Sequence, residues 1–414
     1  MSVAFDSNVT LTCEIAFNSD PLDASQSYTD VSAYLRGFKI NRGRSSNLAK
    51  FQPSSAVVQL DNTDNRFSPN QTTHYYDSTN NRSKVQPLKR LRIKAVQGGV
   101  TYILFTGHIE GFPVNYGLQG SDAVTNIRVV DAFKLFNNAS LNSIGWKLGV
   151  SLLGQTTRLA FGQVQEKSSV RVAKILNSFG YTDQTIATGQ LDVQTQSTSD
   201  TVLAAIQKVE DAENGTFFMA ANGNATFRDR NFRLTNTTTP AATFGQGGSD
   251  LPYSDIVSSF DDTKIVNTVQ MTRTGGSLQT AVSDDSTTRF GTHSFTRTGT
   301  LNVSDADVAS IAGQKVVEND IPQTTITQLK FRPQANTSLW AKALGLEIGS
   351  FVEAKVTTPS STVETYDLFI EKITHNVDAR SKTWTWSIGL SSAETGAWIL
   401  GVSKLGIDTN ISYT

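Results

Sequence analysis

Short runs in which apolar and polar residues alternate, each bounded by turn-forming residues, constrain this sequence more than any other feature. From Val9 to Ile15 every second side chain is apolar, which is the period of a half-buried β-strand. Residues 91–95 (LRIKA) alternate in the same way, and residues 101–105 (TYILF) return after Gly98-Gly99, a pair typical of a tight hairpin turn. The first third of the chain is therefore predicted to be β-sheet.

Helical periodicity interrupts this pattern in the middle of the chain. The apolar residues between Val172 and Phe179 recur at i, i+3, i+4 and i+7, and Gly180 follows, which predicts an amphipathic helix with a glycine stop. A second helix is predicted between Ser199 as N-cap and Gly215 as stop.

Further along, Ser304 with an acidic residue three positions later predicts the start of a third helix, and residues 351–356, 366–373 and 384–390 read as strands. The predicted fold class is mainly β with α+β inserts, in several domains. We place the units at 1–138, 139–245, 246–324 and 325–414, with a flexible break at 243–250.

The two ends of the chain contain one similar segment. The sequence His-Ile-Glu at 108–110 and the sequence Phe-Ile-Glu at 369–371 each continue a predicted strand, and Asn115 and Asn376 follow Glu110 and Glu371 at the same offset. Two strands can match by chance at this level. The alternative is that the two terminal units are related.

Composition excludes several classes of function. Charged residues make up 18% of the chain, and 36 basic against 37 acidic residues give a net charge of -1, so the basic surplus of a sequence-independent nucleic-acid binder is missing. The single cysteine, Cys13, allows no intrachain disulfide and is expected to be a small packed side chain. We expect no signal peptide and no membrane span, because neither apolar pattern occurs.

The sequence contains no recognisable catalytic or cofactor motif. The four histidines are scattered, and neither the zinc-protease nor the serine-hydrolase signature occurs. The acidic cluster at Glu210, Asp211 and Glu213 is interpreted as a solvated helix face. We therefore predict no enzyme activity, no cofactor and no metal.

The most distinctive pattern lies between residues 42 and 69. It combines Arg42-Gly43-Arg44 with a later run that ends a strand in Asp61-Asn62, Asp64 and Arg66-Phe67. Residues 61–66 resemble the start of a calcium loop, but Arg66 stands where an EF-hand needs glycine. We interpret this run as a structural turn rather than a reactive site, and a cation site of another type stays open.

This pattern resembles that of minor tail proteins of long-tailed siphophages, in the hub-like family of the tail tip or baseplate. The resemblance continues weakly through much of the chain and leaves 277–300 and 397–414 unmatched. It implies two tube-like β-barrels, N-terminal (1–138) and C-terminal (325–414), that flank the insert domains. It also implies a homotrimer that closes and continues the tail tube and passes DNA without reading its sequence.

The resemblance further implies partners and a location. The expected partners are the distal tail protein, the tape-measure protein and tip fibres or receptor-binding proteins, in a virion tail tip assembled in the host cytoplasm. The runner-up is the hexameric distal tail protein itself. A tail-associated lytic enzyme is disfavoured because little sequence follows Leu390. A glycan-binding module would use four of the five tryptophans, which are Trp340, Trp384, Trp386 or Trp398.

Overall fold

The computed structural model describes residues 3–6, 8–118, 121–142, 150–152, 155–157, 165–196, 199–335 and 339–393. The fold is mainly β. Its first third contains β1 (Val3–Ala4), β2 (Val9–Ile15), β3 (Thr29–Asp30), β4 (Leu35–Gly43), β5 (Ser55–Asp61), β6 (Tyr76–Asp77), β7 (Arg82–Ser83), β8 (Arg90–Gln97), β9 (Val100–Gly111), β10 (Val114–Asn115), β11 (Val124–Val130) and helix α1 (Phe133–Asn138). The predicted β8–β9 hairpin is confirmed, and both glycines of its turn have positive φ, 56° and 81°.

The middle of the chain mixes helices with short strands. It contains β12 (Val150–Leu152), β13 (Gln155–Thr157), β14 (Glu166–Lys167), α2 (Ser168–Phe179), β15 (Gln184–Ile186), β16 (Asp192–Val193), α3 (Val202–Glu213), β17 (Thr216–Met219), β18 (Ala225–Arg228), α4 (Phe232–Thr235) and β19 (Ala242–Phe244). Helix α2 ends at Gly180 as predicted. The predicted limits of α3 are wrong, because Thr201 caps its start through a bond from the Ala204 amide and Asn214 ends it.

The last part of the chain returns to long strands. It contains β20 (Tyr253–Ser259), β21 (Thr268–Arg273), β22 (Gln279–Val282), α5 (Asp284–Phe290), β23 (Ser294–Thr300), α6 (Asp305–Asn319), β24 (Thr325–Phe331), α7 (Trp340–Leu344), β25 (Phe351–Thr357), β26 (Val363–Asp378) and β27 (Thr383–Ser392). The hydroxyl of Ser304 caps α6 as predicted. The expected break at 243–250 is partly wrong, because β19 extends to Phe244 and pairs with β25.

One large sheet unites the two ends of the chain. Its strand order is β1-β2-β8-β9-β11-β5-β4-β26-β27-β24-β20, and β25 pairs with β26 beside this path. Within the described part of the chain, therefore, the strands of the two terminal units do not close into two separate barrels. They join side by side through β4 and β26 instead.

The two halves of this sheet repeat one topology. In the N-terminal module (β4, β5, β8, β9 and β11) the strand order is β8-β9-β11-β5-β4, with every pair antiparallel. In the C-terminal module (β20, β24, β25, β26 and β27) the order is β25-β26-β27-β24-β20, again antiparallel throughout. Strands at matching places also follow one another in the same chain order.

Two β-bulges of the N-terminal module each have a counterpart at the matching place in the C-terminal module. Glu110 is skipped where β9 pairs with β11, and Glu371 is skipped where β26 pairs with β27. Arg36 is skipped near the start of β4, and Ser254 is skipped near the start of β20. Bulges are position-specific features that bend a strand and increase its twist. The similar segments around Glu110 and Glu371 therefore occupy equivalent places in the fold.

The segment between β20 and β24 forms a unit of its own. Strand β21 pairs with β22 and β23, and helix α6 packs on this small sheet around a separate apolar core. The predicted unit 246–324 thus contributes β20 to the large sheet, and its later part forms the insert. None of the described helices is both long enough and apolar enough to cross a bilayer.

Candidate functional site

The pairing of β4 with β26, which we call the seam, forms the boundary between the two modules. The first part of the predicted motif, Arg42-Gly43-Arg44, lies at one end of it. The seam runs from Gly37 opposite Asp378 to Gly43 opposite Lys372. Gly43 has φ of +115°, and a Cβ built there would lie 2.1 Å from the carbonyl oxygen of Glu371. Glycine is therefore required at this position for both the backbone conformation and the close approach of the strands.

A buried carboxylate anchors the seam. Glu371 accepts hydrogen bonds from Arg44 Nε at 2.6 Å, Arg233 Nη1 at 2.5 Å and Ser391 Oγ at 2.6 Å. Burial opposes ionisation of this side chain, but the two guanidinium groups outweigh it and lower its pKa to about 2. Because Arg44 follows β4 and Arg233 lies on α4, one carboxylate holds together the two modules and the middle of the chain.

A second ion pair extends the seam. Arg42 Nη2 lies 2.6 Å from Glu347 Oε1 and also donates to the Met219 carbonyl oxygen at 3.3 Å. The other oxygen of Glu347 accepts the amide of Ala221 at 2.9 Å. The β17–β18 hairpin is thus attached to the same place. Arg42, Gly43 and Arg44 therefore position three parts of the chain relative to one another.

The second group of predicted residues forms a compact turn after β5. The side-chain oxygen of Asn62 accepts the amide of Phe67 at 2.8 Å, and its nitrogen donates to Ser68 Oγ at 3.1 Å. Phe67 is fully buried, with ring centroids 5.6 Å from Tyr34 and 5.8 Å from Tyr75. The turn thus closes over an aromatic cluster.

Both carboxylates of this turn have arginine partners. Asp61 and Asp122 each lie 2.6 Å from Nη2 of Arg36, the bulged residue of β4. Asp64 pairs with Arg66, and their hydrogen bonds lower the pKa of Asp64. Neither aspartate is free to hold a cation, and the described residues contain no group of three or more His, Cys, Asp or Glu side chains suited to a metal ion.

A cavity of about 150 Å³ lies beside the seam. Seven basic and four acidic side chains line it, so it suits an anion better than a cation. Burial lowers the pKa of Lys315 to about 8 and raises that of Glu210 to about 7. No local pattern marks this cavity, because its walls come from segments far apart in the sequence.

The prediction of a solvated acidic face on α3 is wrong. Glu210 and Glu213 are buried. Glu213 accepts the Ser168 hydroxyl at 2.7 Å and the backbone amides of Gln190 and Leu191 at 2.9 and 3.0 Å. Its carboxylate therefore organises the loop that packs against α2 and α3, and it is not free for chemistry.

The candidate sugar-binding tryptophans are core residues where the structure describes them. Trp340, Trp384 and Trp386 are at most 1% exposed. The ring centroids of Trp340 and Trp384 lie 5.2 Å apart. Trp398 lies outside the described residues. Cys13 is likewise fully buried, and burial raises the pKa of its thiol, as expected for a packed side chain.

Comparison with known proteins identifies the fold. No protein-family model matches the sequence, and no curated protein matches it. A solved tail protein from Neisseria meningitidis MC58 is 10% identical with a TM-score of 0.54, covering 93% of this chain and 96% of that one. The 43 kDa tail protein of prophage MuSo2 from Shewanella oneidensis is 10% identical with a TM-score of 0.50, covering 93% and 98%.

These two matches span nearly the whole of each chain. The protein therefore has the fold of tail proteins, one of them encoded by a prophage. At this level of identity the fold is what the likeness establishes.

Proposed function

We propose that this chain is a structural protein of the tail tip of a long-tailed phage, where three copies form a hub that closes and continues the tail tube. The observation that carries the proposal is the repeated module. Two copies of one topology, with bulges at matching places, stand side by side in a single sheet. The fold likeness to two tail proteins supports the same assignment.

The repeat gives a physical reason for a trimer. A tube with six-fold symmetry presents six equivalent surfaces, and a ring of three chains can match them only if each chain offers two similar units. In this proposal the chain has four units, which are 1–138, 139–245, 246–324 and 325–414. The two modules act as tube-like segments in the first and the last of these units. Strands β19 and β20 then belong to the C-terminal segment.

The charge balance supports a passive route for DNA. A net charge of -1 provides no basic surplus that would retain phosphates during ejection. We propose the distal tail protein, the tape-measure protein and tip fibres or receptor-binding proteins as neighbours, after assembly in the host cytoplasm. The seam and the turn serve in this proposal as structural joints.

The mass of the purified assembly tests the proposal. Three times 44.9 kDa is expected by light scattering or native mass spectrometry. Six chains would favour the hexameric distal tail protein, and a monomer at high concentration would contradict both. A negative-stain image of the assembly should have three-fold symmetry with six similar lobes.

We propose a role without catalysis. The site consists of ion pairs and a buried turn, and its buried carboxylates are bound by arginine side chains or backbone amides. An assay with purified protein on host peptidoglycan tests this. Turnover that disappears on mutation of one carboxylate would replace the structural assignment with a lytic one.

A further inference from the structure

The internal seam predicts a second contact that a single chain cannot make. In the seam, β4 pairs with the second half of β26, residues 372–378. The repeat gives β20 as the counterpart of β4, and residues 111–117 as the counterpart of 372–378. We propose that β20 of one copy pairs antiparallel with residues 112–117 of a second copy, repeating the seam between chains. This inference rests on the proposed function.

Both surfaces are open edges in the described chain. Strand β20 is the last strand of the large sheet and pairs only with β24. On the other surface, β8 and the two residues before it bond to β9 only as far as Ile109, and β10 pairs only with β11. In the C-terminal module, β25 and the two residues before it likewise reach only to Ile370 of β26, and β4 pairs with β26 from Lys372 onward. The free edge at 112–117 is therefore the position that β4 fills in the other module.

Proline does not block this edge. The carbonyl oxygen of Pro113 accepts the amide of Asn126 at 3.0 Å, so the backbone of Pro113 faces β11. Because backbone groups of successive strand residues point to opposite sides, those of Phe112, Val114 and Tyr116 face the free edge. The missing N–H of proline thus lies on the inner side, and the outward row of donors and acceptors is intact.

Among the described residues, the two most exposed large apolar side chains, Leu118 and Phe260, lie beside these two edges. On β20 and just beyond it, Val257 is 42% and Phe260 is 67% exposed. Beside the other edge, Tyr116 is 53% and Leu118 is 83% exposed. Large apolar side chains on two unpaired edges are a liability in a monomer and are expected at an interface between copies. Backbone pairing then supplies direction, and these side chains supply burial.

The repeat also fixes the register. Lys39 pairs with Asn376 in the seam, and the corresponding residues are Val257 and Asn115. Asn115 faces away from the free edge, so this pair is non-hydrogen-bonded, with Cα atoms about 4.5 Å apart. That spacing allows a disulfide. Since the two edges are different surfaces of one chain, the contact is head-to-tail and every copy uses both.

Cysteine cross-linking tests the register. In a Cys13→Ser background, oxidised Asn115→Cys, Val257→Cys protein should form a covalent ladder that ends at three chains on a non-reducing gel. Mixing the two single variants should give covalent dimers, whereas either alone should not. The matched control, Asn115→Cys with Ser259→Cys, is two residues out of register and should cross-link at least tenfold less.

A proline variant tests the edge independently. Ser258 faces the free edge, because its neighbour Val257 directs its carbonyl toward Thr327 of β24. Ser258→Pro should convert the trimer to folded monomers, checked by mass and circular dichroism. If the assembly has the mass of three chains but the cysteine variants do not cross-link, or if the Ser258→Pro protein is still a trimer, this contact is wrong while the proposal of a trimeric hub stands. A monomeric wild type would overturn the hub itself.

Discussion

Replacing Glu371 by glutamine should remove the ion-pair centre of the seam. A carboxyl whose pKa falls from 4.5 to about 2 on folding contributes about 3 kcal/mol to stability at neutral pH. The substitution also leaves Arg44 and Arg233 without their carboxylate, and breaking a buried pair in this way costs about 3–5 kcal/mol. By both estimates, the free energy of unfolding falls by roughly 3 kcal/mol or more in the Glu371→Gln protein.

Urea unfolding followed by tryptophan fluorescence measures this loss. Trp384 and Trp386 are buried on β27 of the C-terminal module, and Trp340 of α7 is buried against Trp384, so these rings report on unfolding of the module. Because the pKa of Glu371 is lowered in the folded state, its contribution is present above pH 4.5 and disappears as the pH falls toward 2. The wild type should therefore lose stability over this range, and the Glu371→Gln protein should lose about 3 kcal/mol less.

The repeat supplies a matched control. Glu110 occupies the same bulge in the N-terminal module but is 36% exposed and pairs with Lys134 at 2.6 Å. An exposed pair of this kind contributes about 0–1 kcal/mol, so Glu110→Gln should be nearly silent. Equal losses for the two variants, or an unchanged acid transition in Glu371→Gln, would refute the reasoning.

Two further substitutions test the predicted motif. Phe67→Ala removes a fully buried ring, so thermal unfolding should show a loss of roughly 3–5 kcal/mol, and an unchanged melting temperature would contradict the structural role of the turn. Gly43→Ala should cost about 1–3 kcal/mol more than Gly98→Ala by urea unfolding, because a Cβ meets backbone only at Gly43. Equal costs at the two glycines would show that the seam tolerates a wider spacing.

Elements with strong local signals could be predicted from the sequence. Helix α2 has an apolar face and a glycine in the left-handed region at its end, and α6 has a serine cap. The residues that make each of these helices begin, pack and end lie within a few positions of one another. A short stretch of sequence is therefore enough to predict the helix. The hairpin at Gly98-Gly99 is predictable for the same reason.

The charged centres could not be predicted, because their partners are remote. Glu213 is bound by groups 17 to 45 residues away, and Glu371 by Arg44, which is 327 residues away. An acidic residue in a helix is normally interpreted as solvated unless a partner is known. The same limit applies to the motif: Arg42 and Arg44 stood out in the sequence, but their carboxylates did not.

The repeat was only weakly visible because the two modules use the same backbone in different surroundings. Glu110 is half-exposed beside a lysine, whereas Glu371 is buried between two arginines, yet both are bulged. A bulge increases the local twist of its strand. In each module the bulge lies just past the point where the long strand, β9 or β26, ends its pairing with the preceding strand, β8 or β25. Beyond the bulge, that side of the long strand is an edge to which another strand can pair. That edge is filled by β4 in one module and open in the other, so the shared twist is explained if the open edge also receives a strand.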